Sequence, residues 1–153
     1  AYSEPLYGNM EGFRRSIVAA DRILYLADNA GEIVLDRVLI EQLPRERTIL
    51  AVRGAPVIND ATLADAETAG LHGLVRVIDN GSDAPGTILN DCSPEFCEIF
   101  RKADIIIAKG QGNYETLSDA PERVFFLLKV KCPVIASRVG LGIGAHAILP
   151  PDF

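Results

Sequence analysis

Polar side chains follow an apolar run near the start of the chain. Ile23–Ala27 is continuously apolar, and Asp28, Asn29 and Glu32 come soon after it, followed by an amphipathic segment at 33–43. This order predicts a buried strand that leads into a helix, with oxygen-bearing side chains at the junction. Ligands of open α/β sheets bind outside the carboxyl ends of the strands. We therefore interpret Asp28 and Asn29 as candidate ligands of a metal ion that serves phosphate chemistry.

Three further predicted strands also lead into polar or glycine-rich clusters. These clusters are Asn59-Asp60, Gly81-Ser82-Asp83 and Lys109-Gly110. Because parallel strands present their carboxyl ends at one edge of a sheet, we expect all of these clusters to meet beside Asp28. Their convergence is stronger evidence for a functional site than any one of the residues alone.

The residue types at this edge suit metal-assisted phosphate chemistry. Carboxylate and amide oxygens are the ligands of hard cations such as Mg²⁺ or Mn²⁺, which polarise phosphoryl groups and activate water. Asp28, Asn29 and Asp60 are the predicted metal ligands. Lys109 is the candidate cation for phosphate oxygens, and the backbone N–H groups of residues 110–113 are suited to form an anion nest.

Each of these residues also has an ordinary structural interpretation. Asp28 and the pair Asn59-Asp60 precede predicted helices and could serve only as caps, and Lys109 could be only a solvated charge. Other catalytic motifs are missing from the sequence. It contains no GxxxxGK[ST] phosphate-binding loop, no GxSxG nucleophile elbow and no paired histidines for zinc.

Composition narrows the class of protein. The net charge of −6 and the pI of about 4.9 argue against a nucleic-acid partner. The three cysteines lack CxxC spacing, which is typical of reduced, structural thiols. No apolar run reaches the roughly 18–20 residues of a membrane span, and no signal peptide opens the sequence. We therefore expect a cytoplasmic protein without a membrane partner.

Apolar runs alternate with amphipathic segments, which predicts a Rossmann-like three-layer α/β/α sandwich in one domain over residues 1–153. Helices are expected after Asn9, over Glu32–Leu43, from Thr62 to Ala69 and after Ser93. The predicted strands are Ile23–Ala27, Thr48–Val52, Leu74–Ile78, Asp104–Ala108, Val124–Val130 and Val134–Ser137.

Finer details of these elements can also be predicted. Residues 1–8 carry proline and glycine, which indicates an irregular lead-in. Only three residues separate Val124–Val130 from Val134–Ser137, too few for a crossover helix. The mostly parallel sheet should therefore end in an antiparallel or edge strand pair. In the second helix, apolar residues at i,i+4 predict the stripe that packs on the sheet, namely Val34, Leu35, Val38 and Leu39.

Five motifs in order resemble the damage-control phosphatase family, a metal-dependent group long catalogued as a domain of unknown function, in its prokaryotic branch. The resemblance extends from about Met10 to Gly144. The motifs are Asp-Asn-Ala-Gly-Glu-Ile-Val (28–34), Val-Arg-Gly-Ala-Pro-Val-Ile-Asn-Asp-Ala-Thr (52–62), Gly-Ser-Asp-Ala-Pro-Gly-Thr (81–87), Lys-Gly-Gln-Gly-Asn-Tyr-Glu (109–115) and Phe-Phe-Leu-Leu-Lys-Val-Lys-Cys-Pro-Val-Ile-Ala (125–136).

The resemblance implies a phosphatase that depends on Mg²⁺, Mn²⁺, Co²⁺ or Ni²⁺ and acts on small phosphorylated metabolites, such as sugar phosphates or damaged phosphometabolites. By motif, the metal ligands are matched by Asp28, Asn29 and Asp60. Lys109 falls in the family's phosphate-binding lysine motif. The expected substrate-binding residues, from the motifs and from the strand-end clusters together, are Glu32, Ser82, Asp83, Gly110, Gly112, Asn113 and Tyr114.

Two hypotheses follow. The first is a metal-dependent phosphomonoesterase with Asp28, Asp60 and Lys109 as catalytic residues, in which either activated water or one of the acids attacks phosphorus. The second is a non-catalytic module that binds a phosphorylated ligand or takes part in assembly. Relatives carry a helical segment before the part matched here, so we expect that N-terminal portion to be absent. Self-association or a helical partner would then cover the surface it leaves open.

Overall fold

The computed structural model describes residues 5–120 and 123–151, which contain a seven-stranded sheet. The strands are β1 Leu6–Gly8, β2 Ile23–Leu26, β3 Thr48–Val52, β4 Arg76–Asp79, β5 Ile105–Lys109, β6 Val124–Lys129 and β7 His146–Leu149. The helices are α1 Met10–Ala19, α2 Ile33–Ile40, α3 Leu63–Thr68, α4 Pro94–Lys102, α5 Gly110–Leu117 and α6 Pro133–Val139. Short 3₁₀ turns lie at Arg45–Arg47, Leu71–Gly73 and Leu89–Asp91.

The strands lie in the order β1-β7-β6-β5-β2-β3-β4. Every neighbouring pair is parallel except β6 and β7, which are antiparallel. β2 lies between β5 and β3, and its Tyr25 stands opposite Ile107 and Leu50. The predicted α/β class and the mostly parallel sheet are confirmed.

The helices form layers on both faces of the sheet. Strand side chains alternate between the faces, so Tyr25 packs with α1, α2 and α3, whereas Leu24 packs with α4, α5 and α6. Phe13 of α1 meets Phe125 of β6 in the first cluster, with 5.1 Å between ring centroids. Because both faces are covered, the central strand β2 is apolar and buried throughout and does not alternate with polar residues. The predicted three-layer sandwich is therefore confirmed.

The prediction of a strand at Val134–Ser137 is wrong, because this segment belongs to α6. Pro133 occupies the first turn of that helix, where its fixed φ favours helical backbone. Gly140 ends the helix in the left-handed conformation, with φ 67°. Ile135 and Val139 are buried at i,i+4. The antiparallel pair does exist, but β6 pairs with β7, which begins at His146.

The N-terminal lead-in is more regular than predicted. Leu6–Gly8 forms β1, the edge strand, which pairs in parallel with β7. The sequence of this segment is too short to predict a strand by itself. It is extended because it pairs with a strand 140 residues away, where Leu6 stands opposite His146. The part of the lead-in before Pro5 lies outside the described residues.

The predicted stripe of α2 is wrong for three of its four residues, and only Leu39 packs against the core. Val34, Leu35 and Val38 are exposed, whereas the helix buries Ile33, Asp36 and Ile40. The helix packs on a different face from the predicted one, because the Asp36 carboxylate finds buried polar partners there in Tyr25 and Lys109.

Smaller signals were predicted correctly. Asn9 accepts from the Gly12 N–H at the start of α1, and Gly70 adopts the left-handed conformation after α3. Ser93 caps α4 by accepting from the Phe96 N–H, and Pro94 stands in the first turn. None of the helices in the described ranges is long and apolar enough to cross a membrane.

Ser93→Ala should lower the free energy of unfolding by about 1 kcal/mol, because the Phe96 N–H then loses its side-chain acceptor. Urea denaturation measures this. Ser137→Ala, at an exposed position inside α6, is the matched control and should leave stability nearly unchanged or slightly raised. Equal losses in both variants would contradict a capping role for Ser93.

Candidate active site

Four neighbouring parallel strands end at one edge of the sheet and bring the predicted clusters together. In the order β5, β2, β3, β4, the residues at or just after their ends are Lys109, Asp28, Arg53 and Asn80. The pairing is in register here, since Leu26 stands opposite both Ala108 and Ala51. The convergence expected from the sequence is therefore present.

The segment after β3 folds back against the end of β2. The Ala61 N–H donates to the Asp28 carbonyl and the Ala30 N–H donates to the Asn59 carbonyl, each over 2.8 Å. This short antiparallel bridge places Asn29 beside Asp60. Asp28, Asn29 and Asp60, the three predicted metal ligands, consequently lie together.

Arg53 is buried and forms an ion pair with Asp60. Its guanidinium Nε donates to Asp60 Oδ2 over 2.7 Å, and its side chain is only 2% exposed. Its Nη2 also reaches Asn113 Oδ1 at 3.4 Å. Sequence reasoning missed Arg53, although a charged residue directly after the apolar β3 run was a usable signal. The ion pair leaves Asp60 with one oxygen that Arg53 Nε does not contact.

Asn113 is fully buried and connects the segments around the site by hydrogen bonds. Its Nδ2 donates to the Ala27 and Lys109 carbonyls, over 3.2 and 2.8 Å. Its Oδ1 accepts from the Thr87 hydroxyl over 2.8 Å. The side chain that the sequence assigned to substrate thus joins β2, α5 and the loop after β4, with its hydrogen-bonding groups used inside the protein.

Asp28 is half-buried and lies close to other charges. Burial, followed by the nearby charge of Asp60, raises the pKa of Asp28 to about 6, against an opposing effect of Arg53. The backbone of Gly110 passes so close to this carboxylate that a Cβ at that position would overlap it, and Gly110 has φ +80°. A residue without a side chain is therefore required beside Asp28.

Lys109 is held by two carboxylates. Its Nζ donates to Glu32 Oε1 and to Asp36 Oδ1, each over 2.5 Å. Burial alone would lower the pKa of Lys109, but Asp36 and Glu32 together raise it above its ordinary value. Asp36 was missed by sequence reasoning, although an acid inside an apolar helix pattern is a recognisable signal.

Three further predicted substrate residues are placed differently. Ser82 is buried, and its hydroxyl contacts Asp91 and accepts from the Ala84 N–H. Asp83 is exposed in the same loop. Tyr114 packs in the core, with its ring edge-on to Phe126 at 5.1 Å. These positions stiffen or border the loops and do not line the cavity beside Asp28.

A cavity of about 440 Å³ opens beside Asp28. Its lining includes Asp28, Glu32, Lys109, Gly110 and Gln111, together with the apolar side chains Leu6, Leu127 and Ile148. The lining also includes Lys129, Lys131 and His146, from the adjoining ends of β6 and β7, and these three residues are called the basic wall. The size and mixed lining suit a small ligand with an anionic group.

The donor set fits a hard divalent cation. Two carboxylates, Asp28 and Asp60, lie near enough for the charge of one to raise the pKa of the other, so a cation between them would relieve their repulsion. Asn29 adds an amide oxygen, which also accepts from the Gly31 N–H. No cluster of three or more His, Cys, Asp or Glu side chains suited to a metal occurs within the described ranges. An amide oxygen such as that of Asn29 is also a suitable ligand type for such a cation.

Comparison with known proteins identifies the family of the chain. Residues 3–146 match the model of the damage-control phosphatase ARMT1-like domain. The chain belongs to this family. The resemblance noted in the sequence motifs is thereby confirmed.

Named relatives share between a third and a half of their aligned residues with the chain. The damage-control phosphatase PH1575 of Pyrococcus horikoshii is 47% identical over 138 residues, which is 88% of this chain and 48% of the relative. A damage-control phosphatase of Archaeoglobus fulgidus is 37% identical over 131 residues, 83% of this chain and 46% of the relative. The uncharacterized protein MJ0202 of Methanocaldococcus jannaschii is 45% identical over 134 residues, 84% of this chain and 44% of the relative.

A solved structure shows the same fold. The crystal structure of the DUF89 family protein PH1575 from Pyrococcus horikoshii superposes with a TM-score of 0.91 and 41% identity, covering 97% of this chain and 54% of that one. The chain thus spans about half the length of the curated relatives that it matches.

The raised pKa of Asp28 should be measurable in this protein without bound metal. Because its folded pKa of about 6 exceeds the ordinary value of 3.8, the folded state binds the proton more tightly than the unfolded state. The contribution of Asp28 to the free energy of unfolding should therefore increase as the pH falls from above 6 towards 4. Carboxyl ¹³C NMR titration measures the pKa directly.

Asp60→Asn is the informative comparison for this titration, because it removes the neighbouring charge and keeps the side-chain shape. It should lower the pKa of Asp28. An Asp28 that titrates near its ordinary value in the unaltered protein would contradict the burial and charge repulsion described above.

Gly110→Ala should destabilise the protein by about 1–2 kcal/mol, because the residue has positive φ and its new Cβ would displace the Asp28 carboxylate. Gly112→Ala is the matched control. Its Cβ would lie 3.6 Å from the Gly86 N atom, an ordinary contact, and alanine favours a helix. Urea denaturation should therefore show opposite signs for the two variants, and a neutral Gly110→Ala would contradict the close approach.

Proposed function

We propose that the chain is the α/β part of a metal-dependent phosphatase that hydrolyses phosphate monoesters of small metabolites, such as sugar phosphates or damaged phosphometabolites. The observation that carries the proposal is the meeting of Asp28, Asn29 and Asp60 at the carboxyl edge of the sheet, beside a cavity with a basic wall. Membership of the damage-control phosphatase family supports the reaction class. The names of the relatives in Pyrococcus and Archaeoglobus agree with it.

Asp28, Asn29 and Asp60 would hold the metal, either Mg²⁺ or Mn²⁺, with Co²⁺ or Ni²⁺ as further candidates. When bound, it would supply Lewis-acid polarisation of the phosphoryl group and a more acidic water. The protein's own side chains then have separate tasks. Arg53 fixes one oxygen of Asp60 and so orients the other. Gly110 leaves room for the Asp28 carboxylate.

Hydrolysis transfers the phosphoryl group from the ester oxygen to water, and the leaving oxygen gains a proton. Asp28 or Asp60 would either take the proton of the attacking water or attack phosphorus and expel the alcohol, in which case water would hydrolyse the resulting aspartyl phosphate in a second step. Lys109 keeps a positive charge at the wall of the cavity, where it can stabilise phosphate oxygens. Gly110 and Gly112 would contribute backbone N–H groups, and Glu32 would border the substrate.

The other predictions made from the sequence are consistent with this function. Residues 1–153 would form one domain of a cytoplasmic enzyme whose partner is a small phosphorylated metabolite. Ser82, Asp83, Asn113 and Tyr114 would act on substrate through the loops that they brace or border.

An assembly module is the second candidate, and the exposed Val34, Leu35 and Val38 on α2 favour it. Robust turnover by a protein that sediments as a monomer would exclude that alternative.

Asp28→Asn and Asp60→Asn should each lower metal-dependent hydrolysis of an aryl phosphate by about 100-fold or more, because each removes an anionic ligand. Hydrolysis with added Mn²⁺ or Mg²⁺ measures this. Asparagine is preferred to alanine at position 60, because its amide oxygen can still accept the hydrogen bond of the buried Arg53, which Asp60→Ala would leave without an acceptor. Glu67→Gln, on the exposed surface of α3, is the matched loss of charge and should not change the rate. Unchanged hydrolysis in both Asp variants would refute the proposed site.

A further inference from the structure

The two carboxylates that hold Lys109 differ greatly in exposure. The Glu32 side chain is 38% exposed, whereas the Asp36 side chain is 3% exposed. Both lie 2.5 Å from the Lys109 Nζ atom. A ligand that enters from the cavity can therefore replace the contact with Glu32, but the contact with Asp36 is shielded from it.

Asp36 is fixed in place by its surroundings. The hydroxyl of the buried Tyr25 donates to Asp36 Oδ1 over 2.9 Å, the same oxygen that Lys109 contacts. The other oxygen, Oδ2, is buried and has no hydrogen-bond partner among the described residues. Loss of Lys109 would leave a buried carboxylate without its counter-charge, which is costly. Lys109 is therefore retained by Asp36 whatever happens to Glu32.

Glu32 lies at the rim, directly before the first residue of α2. It lines the cavity together with Lys109 and Asp28. Its carboxylate forms an ion pair with Lys109. A carboxylate and a phosphoryl group both present anionic oxygens to an ammonium group. Glu32 therefore occupies the position from which a phosphate would contact Lys109.

We propose that Glu32 is a displaceable counter-ion, which the phosphate of substrate or product replaces on Lys109 while Asp36 remains as the positioning residue. This inference rests on the proposed function, since it requires a phosphate in the cavity. Because phosphate takes the place of Glu32 and Asp36 stays, Lys109 has two anionic partners before and after the exchange. The exchange also sets a cost on phosphate binding, because the contact with Glu32 must be broken, and this favours release of the product.

Glu32→Gln tests the exchange, because it removes the competing charge and keeps the side-chain size. Titration calorimetry of inorganic phosphate into the Mg²⁺-loaded protein should show an affinity about three- to tenfold higher than in the unaltered protein. Hydrolysis of an aryl phosphate should show a lower KM, with kcat changed by less than KM. Glu41→Gln removes the carboxylate of another ion pair of this helix, with Arg37, and should leave both quantities unchanged.

A spectroscopic measurement separates exchange from mere loss of repulsion. On addition of phosphate, the side-chain carboxyl ¹³C signal of Glu32 should move to the position of a solvated glutamate, while the Nζ signal of Lys109 stays that of a buried, paired ammonium. A Glu32 signal that does not move when phosphate binds would overturn the exchange. Weaker phosphate binding in Glu32→Gln, or no phosphate binding by the unaltered protein, would do so as well.

The outcome also distinguishes this inference from the phosphatase proposal. Phosphate that binds and displaces Glu32, without any hydrolysis of esters, would support the exchange and refute the enzyme. Normal hydrolysis, with phosphate affinity unaltered in Glu32→Gln, would support the enzyme and refute the exchange.

Discussion

The repulsion between Asp28 and Asp60 is the constraint on which the site depends. Two carboxylates that share a half-buried edge destabilise each other, and the pKa of Asp28 is raised first by burial and then by the charge of Asp60. The fold offsets it on one side with Arg53, buried beneath Asp60. On the open side no protein cation lies within ion-pair distance of Asp28 among the described residues. The Asp28 carboxylate is thus left without a direct ion-pair partner among these residues, which suits it to contact a bound cation.

Such a site must also resist the tendency of its loops to separate. Asn113 joins the end of β2, the end of β5 and the loop after β4 through four hydrogen bonds of one side chain. Because the side chain is fully buried, every one of these bonds is protected from water. The loops that carry the carboxylates are therefore held by the interior of the protein and not by the ligand. Preorganisation of this kind lowers the cost of binding.

The sequence was sufficient for those features that depend on local pattern. Continuous apolar strands, caps such as Ser93 and polar clusters at strand ends predicted the sheet class and the edge where Asp28 and Asp60 meet. It was insufficient where partners lie far apart in the chain. Arg53 and Asn113 are 60 residues apart, and Lys109 and Asp36 are 73 apart. Their contacts follow from the order of strands in the sheet, which periodicity does not reveal. The turned face of α2 has the same cause, since a distant lysine makes burial of Asp36 favourable.

The reversal of β7 has a structural consequence for the cavity. Because β6 and β7 run in opposite directions, the end of one and the start of the other lie at the same edge, with Lys129 opposite His146. The chain between them contains α6, so the basic wall stands on a different connection from the carboxylates after β2 and β3. Length or sequence changes in that connection can reshape the cavity while the acidic centre is left intact. Under the proposed function, the groups that do the chemistry and those that select the substrate would therefore be able to diverge separately on the same sheet edge.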